Sequence, residues 1–217
     1  NPSIIDTITY RELRELSYMG ATVLHEDAIF PVRNAGIPIN IKNTNKPEDR
    51  GTMIVSQASG YDTEHIITGI AGKKGFSVLT IEKDMMNSEV GFGRKVLESL
   101  EDFGVAFEHL PSGIDTMSIV VNSSYIEGRE KQVIDKITEA VSPDVIYIEN
   151  GISLIAIVGR GMKNAHGTAS RVFKAIASEN INIKMIDQGS SELNIIIGVE
   201  EKDFEKALRA IYKEFMG

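Results

Sequence analysis

The sequence contains no cysteine. That excludes a disulfide, a thiolate zinc site and a cysteine nucleophile, and it is compatible with a cytoplasmic protein. No apolar run reaches the roughly 18 residues that a membrane-spanning helix needs. The opening residues, Asn1-Pro2-Ser3-Ile4, have no basic stretch followed by an apolar one, so they are not a signal peptide. They also lack an initiator Met, and the chain reads as an excised fragment. Basic charge is not in excess: 23 Lys and Arg stand against 31 Asp and Glu, a formal net charge of -8. This argues against a nucleic-acid or anionic-membrane partner, both of which select basic surfaces.

What is present is ordinary for a folded protein, with 42% apolar and 25% charged residues. A length of 217 residues allows one large domain or two to three small ones. An internal repeat decides between them. A shift of 76 residues lays the segment from Phe76 over the segment from Ile152 without a gap. Gly91 then meets Gly167, Val96 meets Val172, Leu100 meets Ile176 and Val105 meets Ile181. Met117, Ile119 and Val121 meet Leu193, Ile195 and Ile197.

Each copy predicts a strand (76–82; 152–159), a loop rich in Gly, Asn and Ser, and a helix with apolar residues three and four apart. The helices end near Gly104 and Asn180. Two strands follow (105–110 and 116–122; 181–187 and 192–199), then a second helix (128–141; 202–215). The first copy adds a strand over 144–149, which gives βαββαβ, the ferredoxin-like arrangement. The second copy ends one strand short. His65–Gly72 is the spare strand, with Lys73-Lys74-Gly75 as a crossover, so the first copy is inserted in the second.

Upstream, Thr9-x-x-Glu12 is a capping box that opens a helix to about Met19. A second helix is expected over Ala28–Ala35 and strands over 37–41 and 51–56, with Ser56–Asp62 as linker. Alone this segment buries little core, so it reads as the end of a larger α/β domain.

The four histidines, His25, His65, His109 and His166, are too widely spaced for a metal-ligand pattern. Gly91-Phe92-Gly93 and Gly159-Arg160-Gly161 complete neither G-x-G-x-x-G nor a P-loop, and their glycines fit a strand-to-helix turn. Met85-Met86 fits gap-filling. The loop Asp84–Gly93 is different, because it brings backbone amides to a helix N-terminus, which suits a ligand carboxylate. Glu108 on a neighbouring strand and Asp115 after the Ser112-Gly113 turn add anions for an ammonium group. A free amino acid requires both; a solvated acidic rim is the plain alternative. No nucleophile–base pair stands out, so the residues describe a binding module.

Ile8-Thr9-Tyr10-Arg11-Glu12-Leu13 and Met19 to His25, continued by Gly36-Ile37-Pro38 and Gly51-Thr52, resemble the end of the catalytic domain of aspartate kinase. Phe107 to Asp115 is similar to the first ACT domain of monofunctional, lysine-sensitive members, and Asn182 to Glu192 to the second. The resemblance covers essentially the whole chain.

It implies an α+β chain of two ferredoxin-like ACT domains, 76–150 and 63–75 plus 151–217, the first inserted in the second. Residues 1–56 are then the remnant of the kinase catalytic domain. It implies a parent enzyme that phosphorylates the side-chain carboxylate of L-aspartate with ATP and Mg, toward lysine, threonine and methionine. It also implies feedback inhibition through the ACT pair, and a homodimer with ACT domains across the interface.

Carried over residue by residue, the effector contacts are Met85, Ser88, Phe92, Gly93, Phe107, Glu108, Ser112, Gly113 and Asp115. Lysine is the first choice of effector and threonine the second, at a site within one chain or shared by two. Two departures stand out. The family's Lys-Phe-Gly-Gly-type motif and its substrate-contacting segments lie upstream of Asn1, so the fragment is expected to lack activity. Many members carry Lys after the Gly-Ala step, where this chain has Thr22. Two other classes compete with this reading: a stand-alone ACT sensor, and the regulatory segment of a bifunctional aspartate kinase–homoserine dehydrogenase.

Overall fold

The computed structural model describes residues 4–21, 24, 26–58 and 65–217. Thr22, His25 and part of the expected linker Ser56–Asp62 therefore lie outside the described residues. The N-terminal segment forms β1 (Thr7–Thr9), α1 (Tyr10–Tyr18), α2 (Glu26–Asn34), β2 (Ile39–Ile41) and β3 (Thr52–Val55). The capping box is in place: Thr9 Oγ1 accepts the Glu12 N–H at 3.3 Å, and the Thr9 N–H reaches Glu12 Oε2 at 2.9 Å. The sheet order is β1-β3-β2, with β1 parallel and β2 antiparallel to β3. Strand β1 has no counterpart in the sequence reading, because three residues are too few to show a period. Its central Ile8 pairs with Ile54, and both are buried.

The chain divides into two compact units, an inner one in sequence, Lys74–Ser153, and an outer one, Asn1–Lys73 with Leu154–Gly217. Two strands of 14 residues, β4 (Gly69–Glu82) and β7 (Val145–Val158), contribute to both. The inner unit adds α3 (Phe92–Glu101), β5 (Phe107–His109), β6 (Thr116–Asn122) and α4 (Glu130–Val141). Its strand order is β5-β6-β4-β7, the ferredoxin-like order. Ser77, Leu79 and Ile81 pair with Val121, Ile119 and Met117. Leu79, Ile81, Ile119 and Val121 pack under Val96, Leu100, Val133 and Ile137 of the two helices.

The outer unit adds α5 (Thr168–Ala177), β8 (Ile183–Asp187), β9 (Asn194–Glu200) and α6 (Phe204–Met216), in the order β4-β7-β9-β8. The expected fourth strand, His65–Gly72, is met from Gly69 on, where β4 begins; residues 65–68 are not strand, although the Thr68 N–H donates to the Val158 carbonyl at 2.7 Å. No crossover separates that segment from the inner unit, because β4 runs on through Lys73, Lys74 and Gly75. Gly75 (φ +88°) and Gly151 (φ +74°) kink their strands without ending them, a conformation that costs a residue with a Cβ but not glycine.

The repeat is regular up to β5 and β8, then slips. Phe107 pairs with Val121, but Ile183 pairs with Val199, not with Ile197. Met117, Ile119 and Val121 therefore correspond to Ile195, Ile197 and Val199, which fill the same places in the two cores. The hairpin turn of the outer unit is two residues longer. A slip of two leaves strand alternation unchanged, so the gapless match had concealed it.

Candidate functional site

The inner loop is built by three of its backbone N–H groups, which donate to two carbonyls and one carboxylate of the β5–β6 turn. The Lys83 N–H donates to the Asp115 carbonyl at 2.9 Å, and the Asn87 N–H to the Ile114 carbonyl at 3.1 Å. The Met85 N–H donates to Asp115 Oδ1 at 3.0 Å, and Met85 itself is left-handed (φ 62°). The turn is closed by the Gly113 N–H on the Thr116 carbonyl (2.7 Å) and by the Ser112–Met117 bridge. Gly91, left-handed at φ 83°, is the N-cap of α3, and no side chain caps it. The Phe92 N–H turns back to the Glu89 carbonyl at 3.2 Å, and the first helical bond runs from Lys95 to Gly91. The amides of Gly93 and Arg94 are the ones the helix leaves without an intrahelical partner.

Met85, Ser88, Gly93, Ser112, Gly113 and Asp115 thus come together, with Ser88 Oγ donating to the Met85 carbonyl at 2.8 Å. Phe92 stands at the same place, but the residue is 4% exposed and its ring belongs to the core, so its side chain is not on the rim of the loop. Phe107 and Glu108 are placed elsewhere within one chain. Strand β6 lies between β5 and β4, and Phe107 is level with Ser77, five residues back along β4 from its loop end at Glu82. Five positions of β6, at roughly 3.4 Å each, separate that level from Thr116 beside the loop.

Sequence reasoning missed the charged group at the helix start. Lys83 Nζ binds Glu89 Oε2 at 2.6 Å and the carbonyl of Val141 at the end of α4, also at 2.6 Å. Lys95 Nζ takes the other Glu89 oxygen at 2.9 Å. These two ammonium groups hold the Glu89 carboxyl below the usual range. Met85, Val90 and Ile114 around the loop are exposed apolar side chains.

The outer unit has the same βα loop, from Gly159 to Gly167, with Gly167 as its left-handed N-cap (φ 82°). The Gly-Arg-Gly stretch has a packing cause. A Cβ on Gly159 would stand 2.6 Å from the Ile67 Cα, and one on Gly161 2.8 Å from the Ile66 carbonyl oxygen, because the chain entering β4 crosses over both. Between them, the Arg160 N–H donates to Glu12 Oε1 at 2.9 Å, and Arg160 Nη1 to Glu12 Oε2 at 3.0 Å. Thr68 Oγ1 also donates to Glu12 Oε1, at 2.6 Å. Glu12 is fully buried. Burial pushes its carboxyl upward, but hydrogen bonds from Thr68, Thr9 and Arg160 outweigh this and hold it below the ordinary 4.5. A cleft of ≈ 750 Å³ in this unit is lined by Asp6, Thr7, Met53, Ile67, Arg160 and Tyr212 among others.

Comparison with known proteins follows the same lines. The family described as ACT domain matches residues 155–215. Aspartokinase 3 of Bacillus subtilis (strain 168) is 44% identical over 216 residues, covering 99% of this chain and 47% of the relative. The aspartate kinase of Clostridium acetobutylicum, described as an allosteric enzyme, superposes with a TM-score of 0.93 at 55% identity, over 99% of this chain and 49% of that one. E. coli aspartokinase III in complex with lysine and aspartate (T-state) superposes with a TM-score of 0.75 at 21% identity, over 98% and 46%, and shows the shared fold. The chain thus spans about half the length of the relatives it matches.

Proposed function

The chain belongs to the aspartokinase family, and from that premise we propose that it is the feedback-sensing part of an enzyme that phosphorylates L-aspartate with ATP and Mg. Catalysis needs the half of the protein that this chain does not span. The sensing reading rests on one observation, the inner loop. There, uncapped amides at the start of α3, a left-handed glycine and the Asp115 carboxylate converge on one exposed rim. Backbone amides and the helix dipole suit an α-carboxylate, and side-chain carboxylates suit ammonium groups.

Lysine is the proposed effector; its presence in the related E. coli complex supports that choice. Glu108 is too far along β5 to join the loop of its own chain. It acts in a site completed by a second copy, which also covers exposed Met85, Val90 and Ile114. Titration calorimetry with lysine and with threonine, combined with sedimentation, tests this. Lysine binding that weakens about tenfold in Glu108→Ala, with a dimer favoured by lysine, is the expected result. Unchanged binding in that variant removes Glu108 from the site, and binding of threonine alone changes the effector.

A further inference from the structure

Asp84 and Arg160 are the same position in the two copies of the repeat, 76 residues apart. Each gives its backbone N–H to a carboxylate. In the inner unit the acceptor is Asp144 Oδ2 of the same module, at 2.7 Å. In the outer unit it is Glu12 Oε1, from a helix that is not part of the ACT fold. Both loops are open to solvent beyond this point, at Val90 in one and His166 in the other, but the acceptors differ: Asp144 is exposed, while Glu12 is 0% exposed.

We propose that Glu12 is a built-in ligand of the second ACT module, and that through it the module's βα loop holds and moves helix α1. The part of this proposal that concerns effector response rests on the sensing function proposed above. The carboxylate is gripped from three segments far apart in sequence: Thr9 at 2.9 and 2.7 Å, Thr68 at 2.6 Å, and Arg160 through both its amide and its guanidinium. One turn further along α1, Glu15 Oε2 accepts from Asn194 Nδ2 at 2.7 Å, at the start of β9. The contact is close, since a Cβ on Gly69 would stand 2.9 Å from Leu16 Cδ1 and one on Gly20 would stand 3.1 Å from the Gly72 carbonyl oxygen.

A buried carboxylate has no water to fall back on, so it follows its donors. A shift of the loop at Gly159–Gly161 therefore carries α1 with it. The joint also has an unused donor: Arg160 Nε is buried without a hydrogen-bond partner. The guanidinium holds Glu12 by Nη1 alone among the contacts described, which leaves a second edge for the carboxylate in another arrangement. One loop is thus the input and its duplicate the output. The same amide position holds a carboxylate of its own module in one copy and a carboxylate of helix α1 in the other.

Hydrogen exchange on the 217-residue chain tests this, with the parent, Glu12→Gln and Arg160→Ala compared with and without lysine. Both variants should speed exchange of the α1 amides by about tenfold or more, while α3 and α4 of the inner unit keep their protection and report that the chain is folded. In the parent, lysine should change α1 exchange. In Glu12→Gln, lysine should bind within about twofold of the parent and leave α1 unchanged. Undisturbed α1 in both variants overturns the joint, as does an α1 response to lysine in Glu12→Gln equal to the parent's. A parent that binds no amino acid overturns the sensing function instead, and α1 exchange in the variants still decides whether Glu12 docks the helix.

Discussion

The backbone N–H of Met85 ends on the carboxylate of Asp115, 3.0 Å away. The two residues lie in different loops, and this contact with its two neighbours makes the loops one object. Asp115 was expected to meet a ligand ammonium; the structure gives it the prior task of setting the loop. A carboxylate has about four acceptor positions, so the two tasks are compatible.

Asp115→Ala removes both. Lysine affinity should fall about tenfold or more, as 1.4 kcal/mol corresponds to one decade. Because Asp115 is exposed, unfolding free energy should change by about 0.5 kcal/mol or less. Calorimetry and urea denaturation on the same samples separate the two effects.

Acid should loosen the outer unit first. The Glu12 carboxyl sits below 4.5 in the folded chain, so the unfolded state binds its proton more readily. Its contribution is present at neutral pH and is lost as pH falls from about 5 through the folded value. Hydrogen-exchange protection of α1 followed from pH 7 to pH 4 should fall in the parent. In Glu12→Gln it should start low and stay flatter. A parent whose α1 protection matches that flat profile would count against the buried ionised form.

Gly159→Ala should destabilise by about 1–3 kcal/mol, because its Cβ meets the Ile67 Cα, the Ile66 carbonyl oxygen and the Thr68 nitrogen between 2.6 and 2.8 Å, all main chain. Gly189→Ala, with nothing within 4 Å, should stay within about 0.5 kcal/mol. Chemical denaturation of the two variants is the measurement. Equal stabilities would mean that the chain entering β4 does not press on the Gly-Arg-Gly turn as described.

The repeat, the capping box at Thr9 and the outer unit's fourth strand, which starts at Gly69 within the expected 65–72, were legible because each leaves a local or periodic mark. The two-residue slip between Val121 and Val199 was not, since strands repeat every two residues. The joins at Gly75 and Gly151 looked like turns because glycine marks turns and strand kinks alike. Ser88, Ser112 and Asp115, named from the sequence, lie on the loop and turn that the structure joins, and their contact with an effector is a proposal. The displacement of Glu108 was not legible, because it depends on the register that sets Phe107 level with Val121 and Ser77, which the ferredoxin-like order alone leaves open. The partnership of Glu12 with Arg160 spans 148 residues, and the capping box had already given Glu12 a sufficient local reason.

Nesting one module within the other also fixes an order of assembly during synthesis. The first part of β4, from Gly69 to Lys73, emerges before the inner module, whereas its partner in β7 begins at Leu154. At roughly 5–20 residues per second, those five residues wait on the order of 4–16 s on the ribosome while the inner module is made and folds. They wait as a strand without a neighbour, the species most prone to pair with another nascent chain. Lys73 and Lys74 close that stretch with two positive charges, the substitution that keeps such edges apart. The outer module therefore completes its sheet after the inner one, and α1, made before either module, docks only once the outer one has formed.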